Sequence, residues 1–130
     1  MDATSLDANV ILRLTLDDVP HQGALAANFV RNSACYVTDV VIAEVVFVME
    51  KVYRIERTRI NELFSTFFKL ETLTYNEMLI NEVFKKYLQF PTLSFVDCYS
   101  AIEAFLDENQ LATFDKALLR KGGSHVREPK

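Results

Sequence analysis

Cysteine, glycine and long apolar runs are scarce in this chain of 130 residues, and each scarcity excludes a class of protein. The two cysteines, Cys35 and Cys98, are far apart, which excludes the close spacings of zinc knuckles and redox motifs. We expect both thiols to be reduced packing residues. The three glycines form no phosphate-binding loop, and neither a Ser-His-Asp nor a Cys-His pattern is present.

Acids break every apolar stretch well short of the roughly 20 residues that a membrane span requires. The N-terminus has neither the basic region nor the apolar core of a signal peptide, so we expect a soluble, cytoplasmic protein. The formal net charge of −4 argues against general attraction to nucleic acid or to an anionic membrane. It does not exclude a nuclease, because a cluster of metal-binding carboxylates itself makes a chain acidic.

Short extended segments alternate with helical patterns, which predicts a single α/β domain over residues 1–130. Half of the residues are apolar, enough for one core. The predicted strands are 3–6, 35–38, 70–74, 111–114 and 124–127. Apolar stripes at helical spacing predict helices over 61–69 and 77–89, and the apolar run 40–49 favours a helix buried on nearly all sides.

Four acids lie in apolar surroundings that offer their charges no local partner: Asp7, Glu44, Asp97 and Asp115. Glu44 has only apolar residues three and four positions away, where helix salt bridges form, and Asp97 has no Lys or Arg there. A buried carboxylate is costly unless it is paired or bound to metal. The pattern therefore indicates a shared cation.

Helix capping is the competing interpretation for three of these acids. Asp7 and Asp115 follow predicted strands as N-caps would, and the segment 94–97 resembles a capping box. Capping does not explain Glu44, which lies too far into its helix.

In an open α/β sheet, ligands bind beyond the carboxyl ends of the strands, where these acids could converge. Two like charges about 4 Å apart repel by roughly 4 kcal/mol at an effective dielectric near 20. A divalent cation removes that repulsion. Oxygen ligands without a converging His or Cys favour Mg²⁺, or Mn²⁺, and such a site suits phosphoryl chemistry.

Four segments, 6–13, 42–47, 94–97 and 112–116, resemble in order the motifs of PIN domains of the VapC toxin class, and the resemblance covers nearly the whole chain. It implies a three-layer sandwich with a central, mostly parallel sheet of four or five strands flanked by helices. It also implies a metal-dependent endoribonuclease, the toxin of a toxin-antitoxin pair, which forms a homodimer and is inhibited by an antitoxin protein.

The resemblance assigns roles to the matching positions. Asp7, Glu44, Asp97 and Asp115 would be catalytic, with Asp7, Asp97 and Asp115 as metal ligands. Asn9 and Thr113 match supporting polar positions, and Ala8 stands where the family usually has threonine, which removes a supporting hydroxyl. Arg13 and Lys116 are candidates for RNA contact from their places beside these motifs.

Two other α/β functions fit the residues poorly, and two alternatives within the PIN fold remain open. A haloacid-dehalogenase-like phosphatase needs a second aspartate where Asn9 stands, and a receiver domain needs an aspartate after the third strand, where the chain has Thr74-Tyr75-Asn76. A PIN-fold binding module without catalysis, or a PIN nuclease of RNA processing outside any toxin pair, is compatible with the same residues.

Overall fold

The computed structural model describes residues 2–130, in which seven helices and five short strands alternate. They form two compact units, of which the first ends at Asn76 and the second is Glu77–Lys130. The strands are β1 (Thr4–Ser5), β2 (Cys35–Tyr36), β3 (Leu73–Thr74), β4 (Leu111–Ala112) and β5 (Val126–Arg127). The helices are α1 (Ala8–Leu16), α2 (Pro20–Asn32), α3 (Asp39–Lys51), α4 (Arg57–Phe67), α5 (Glu77–Gln89), α6 (Phe95–Leu106) and α7 (Lys116–Lys121). A single domain over residues 1–130 stays a prediction.

The strands of the first unit form a parallel sheet in the order β1-β2-β3, with Thr4 beside Cys35 and Cys35 beside Leu73. The Leu6 N–H extends this pairing by donating to the Tyr36 carbonyl oxygen at 2.8 Å. Parallel strands need long crossover connections, and α1 with α2, then α3 with α4, provide them. All three strands therefore end at the same edge of the sheet.

In the second unit, β4 and β5 pair in parallel with α7 as their crossover, and Leu111 lies beside Val126. Gly122 ends α7 in a position that only glycine fits. A Cβ there would lie 2.5 Å from the Leu118 carbonyl oxygen and 2.7 Å from a methyl group of Val126. The close approach of helix to strand thus depends on the missing side chain.

The predicted α/β architecture with parallel strands is confirmed, but the strands form a three-stranded and a two-stranded sheet, where the resemblance implied one central sheet of four or five strands. Each predicted strand segment contains one strand of two residues, and α5 has the predicted bounds. Four of the five strands, β1 to β4, are followed within a few residues by a helix, which limits their length. Two residues after β2, the Thr38 hydroxyl accepts the Val41 N–H at 3.2 Å and begins α3.

Helix α3 corrects one prediction, because it is buried on one face rather than nearly all round. Its buried residues, Ile42, Val45, Val46 and Met49, follow helical spacing. On the opposite face Val40 is 77% exposed, Phe47 is 60% exposed and Glu44 is exposed. The prediction was wrong because apolar residues on the solvent face look, in sequence, like a second buried face.

Cys35 and Cys98 are both buried, and neither is part of a disulfide within residues 2–130; burial raises the pKa of the Cys35 thiol. Between residues 2 and 130, no helix has the length and apolar character needed to cross a membrane.

Three side chains tie the turn after α1 to the turn after α3. The Arg13 guanidinium lies 3.4 Å from an Asp18 carboxylate oxygen and donates a hydrogen bond to the Tyr53 hydroxyl at 3.0 Å. That hydroxyl donates in turn to Asp18 at 2.9 Å. The Tyr53 hydroxyl therefore connects both charged groups.

We expect Tyr53→Phe to lower the free energy of unfolding by about 1 kcal/mol or less, the usual range for a partly exposed hydrogen-bonded ion pair. Urea denaturation would measure it. Tyr36→Phe is the matched control, because the exposed Tyr36 hydroxyl makes no hydrogen bond within residues 2–130, and its effect should stay below about 0.5 kcal/mol. An equal decrease in the free energy of unfolding in the two variants would show that the hydrogen bonds of the Tyr53 hydroxyl do not stabilise the fold.

Candidate active site

Asp7 lies two residues after the end of β1 and occupies the N-cap position of α1, yet its side chain makes no capping hydrogen bond. Its backbone carbonyl oxygen accepts the Val10 N–H at 3.2 Å. The carboxylate is exposed and forms neither a hydrogen bond nor an ion pair with any residue in the described part of the chain. Asp7 therefore stands at the N-cap position, as the capping interpretation predicted, but its side chain does not cap the helix. The carboxylate stays available for a ligand.

Glu44 lies in the middle of α3 on its exposed face and likewise has no hydrogen bond or ion pair among residues 2–130. The argument that a buried charge requires a partner does not apply, because water solvates this carboxylate. A role for Glu44 in catalysis now rests on the motif in which it stands.

Asn9 and Arg13 both lie on α1, but only the Arg13 side chain has partners within residues 2–130. The Asn9 side chain is exposed and makes no hydrogen bond within residues 2–130. Arg13 already pairs with Asp18 and Tyr53, so an RNA phosphate would have to compete with that ion pair. Both line an apolar groove of about 450 Å³ between α1 and α2, together with Leu25 and Phe29 of α2.

Asp39 is a polar residue at the strand ends that the sequence-based prediction missed. It is the first residue of α3, three positions after β2, and its carboxylate accepts a hydrogen bond from the Asn76 side chain at 3.1 Å. Asn76 follows β3 as Asp7 follows β1, so polar groups stand just beyond all three carboxyl ends of the sheet. An acid directly after an N-cap threonine was the available signal.

Asp97 forms the capping box that its surroundings predicted. The Asp97 N–H donates to the Ser94 hydroxyl at 3.0 Å, and the Ser94 N–H donates to Asp97 Oδ2 at 3.3 Å. Asp97 is half-buried, and its Oδ1 has no hydrogen bond in the described structure. One carboxylate oxygen thus serves the fold while the other is free for a ligand.

Asp115 is the N-cap of α7, and its Oδ1 accepts the Leu118 N–H at 2.9 Å. The Thr113 hydroxyl accepts the Asp115 N–H at 3.0 Å, which holds the residue in its cap conformation. Thr113 therefore supports the backbone of Asp115 rather than its carboxylate, and its role as a supporting polar residue of an active site stays a prediction. Lys116 is exposed and forms no ion pair within residues 2–130.

Oxygen donors of these acids have the chemistry that a hard divalent cation requires. Each compact unit carries two of the four: Asp7 and Glu44 in the first, Asp97 and Asp115 in the second. Among residues 2–130, no three or more His, Cys, Asp or Glu side chains are grouped so that they could hold a metal ion. Convergence of the four acids on one cation stays a prediction.

The sequence matches the model of the PIN domain family over residues 5–123. The match includes all four acids, Asn9 and Thr113, and it extends across both compact units. No protein of curated function matches the chain.

The capping box gives a prediction that separates folding from chemistry at Asp97. We expect Ser94→Ala to lower the free energy of unfolding by about 1 kcal/mol, the usual cost of losing an N-cap side chain. Asp97→Asn should cost less, since the amide oxygen still accepts the Ser94 N–H. Thermal or urea unfolding would measure both.

Ser100→Ala is the control, because Ser100 lies in the same helix and its side chain makes no hydrogen bond in the described structure. A loss in Ser94→Ala no larger than that in Ser100→Ala would show that the cap contributes nothing.

Proposed function

The chain belongs to the PIN domain family, whose members are generally nucleases, and from this we propose that it is a metal-dependent endoribonuclease. The substrate is RNA, and the reaction is hydrolysis of a phosphodiester bond. Asp7, Glu44, Asp97 and Asp115 are the catalytic residues, and Asn9 and Thr113 support them.

Asp7 is the observation that carries this proposal. An aspartate at an N-cap normally accepts a backbone N–H of the first turn, an interaction that contributes about 0.5–2 kcal/mol. Asp7 stands at an N-cap and makes no such bond, although its carboxylate has no other partner in the described structure. An exposed acid at the end of β1 that the fold does not use is what a ligand-binding role requires.

Asp7, Asp97 and Asp115 would hold the cation, since each has at least one carboxylate oxygen without a hydrogen bond in residues 2–130. Mg²⁺ or Mn²⁺ would lower the pKa of a bound water and neutralise charge on the phosphate. Thr113 and Ser94 fix the backbone at Asp115 and Asp97, so these carboxylates start from defined positions. Glu44 is free to accept a proton or to orient water.

We further propose that the chain is the toxin of a toxin-antitoxin pair and that a protein antitoxin binds it. Two features support a protein partner: the apolar groove between α1 and α2, and the exposed Phe47 and Val40 on α3. An antitoxin segment or a second copy of the chain would remove such apolar surface from water. We therefore include a homodimer and an antitoxin in the proposed function.

One observation favours a second candidate, a PIN-fold module that binds RNA without cutting it. Residues 2–130 contain no group of three or more potential ligands that could hold a metal ion. A chain that neither binds a divalent cation nor cleaves RNA, yet folds, would have this function.

We expect the purified protein to cut a total-RNA pool at discrete sites with Mg²⁺ and not with EDTA. Asp7→Asn should reduce cleavage by more than about 100-fold, because even residues that only support a metal site typically contribute 10- to 100-fold. Its folding should not change, since the carboxylate makes no bond within residues 2–130. Gel analysis of the products and unfolding curves would measure both.

Asp2→Asn is the matched control, because Asp2 is exposed and lies outside the predicted site. We expect products with 3′-hydroxyl and 5′-phosphate ends, which result when water attacks the phosphorus and the bond to the 3′-oxygen breaks. Products with 2′,3′-cyclic phosphates would reject attack by water. Equal cleavage by the Asp7→Asn and Asp2→Asn variants would remove Asp7 from the site, and no cleavage together with no Mg²⁺ or Mn²⁺ binding would favour the binding module.

A further inference from the structure

Phe114, the residue before Asp115, has a side chain that is 76% exposed. Burial of a phenylalanine side chain typically lowers the free energy of the folded state, and the exposed Phe114 side chain provides little of this stabilisation. It makes no aromatic contact within residues 2–130, unlike Phe105, which packs on His125 with ring centroids 5.5 Å apart. The ring of Phe114 is thus open on the surface next to a candidate catalytic acid.

Two cations follow on the same surface segment. Lys116 and Arg120 lie one turn apart on α7, a spacing that puts their Cβ atoms about 6 Å apart on one helix face. Both are exposed, and neither forms an ion pair or a hydrogen bond in the described part of the chain. Phe114 is two residues before Lys116, so their Cα atoms are within about 7–8 Å.

An exposed aromatic ring beside unpaired cations is the combination that binds single-stranded nucleic acid. Every nucleotide presents a flat base, which stacks on the ring, and a phosphate, which attracts the cations. The combination is local, because the chain as a whole carries a net charge of −4. A protein partner would instead have to supply an acid for each cation.

We propose that Phe114, Lys116 and Arg120 form a single-strand binding surface next to Asp115. Phe114 stacks on an unpaired base of the RNA, and Lys116 and Arg120 contact the phosphates beside it. The inference rests on the proposed function, in that RNA is the substrate of the same site, and it restricts that substrate to a segment with an unpaired base.

The test is the affinity for a short fluorescein-labelled single-stranded RNA, measured by fluorescence anisotropy in EDTA so that metal-dependent cleavage does not occur. Phe114→Ala should weaken binding by about 5- to 150-fold, the range for loss of one base–aromatic stack. Phe114→Tyr, which keeps an aromatic face, should bind like the wild type. Duplex RNA should bind more weakly than the single strand, and Phe114→Ala should leave its affinity unchanged.

The contributions of Lys116 and Arg120 are measured separately, from the dependence of the RNA dissociation constant on salt concentration. Lys116→Gln and Arg120→Gln should each reduce the slope of log Kd against log salt concentration by about 0.7, the value for one phosphate contact on a single strand. Phe105→Ala is the matched aromatic control, since Phe105 is 61% exposed in the same unit, and Lys69→Gln is the control for charge. Both controls should match the wild type.

Four results would overturn the proposal: wild-type protein that binds no single-stranded RNA, Phe114→Ala that binds like the wild type, equal loss in Phe105→Ala, or a changed solution mass of Phe114→Ala. The last would place Phe114 in an interface between copies of the chain. Cleavage with Mg²⁺ is measured separately. Binding that depends on Phe114 without any cleavage would refute the proposed activity and keep the surface. Cleavage by a protein whose RNA binding does not depend on Phe114 would keep the proposed activity and refute the surface.

Discussion

The structure depends on how four of its five short parallel strands, β1 to β4, lead into helices. A helix begins with backbone N–H groups that have no partner within it, and these must be satisfied where a strand has just ended. Thr38 caps α3 after β2, and Asp115 caps α7 after β4. Ligands of an open α/β sheet bind beyond the carboxyl ends of its strands, and two of the four candidate acids, Asp7 and Asp115, lie in these strand-to-helix turns.

Some of the candidate active-site carboxylates also cap helices, and others do not. Asp97 and Asp115 each give one carboxylate oxygen to a helix cap, whereas Asp7 gives none and Glu44 is simply solvated. An amide in place of Asp97 keeps an oxygen for the cap and loses the charge that a cation requires. The two functions of such a residue are therefore separable by substitution, although they share one side chain.

Local patterns were predicted well because their physics is local. The bounds of α5 follow from one apolar stripe, and the capping box at Ser94 and Asp97 involves residues three positions apart. The burial of α3 was predicted wrongly, because apolar content does not reveal which face meets the core. The pairing of Arg13 with Asp18 and Tyr53 could not be predicted, since Tyr53 lies 40 residues from Arg13 along the chain.

The sequence by itself determined the alternation of helices and strands, the caps and the positions of the four acids, because each depends on neighbouring residues. It also carried the motifs that match the PIN family over residues 5–123. Only the tertiary structure decided that Glu44 and Phe114 are exposed, that Asp39 meets Asn76 and that Arg13 is already paired. Exposure and long-range pairing are set by which surfaces pack together, and packing joins residues that the sequence keeps apart.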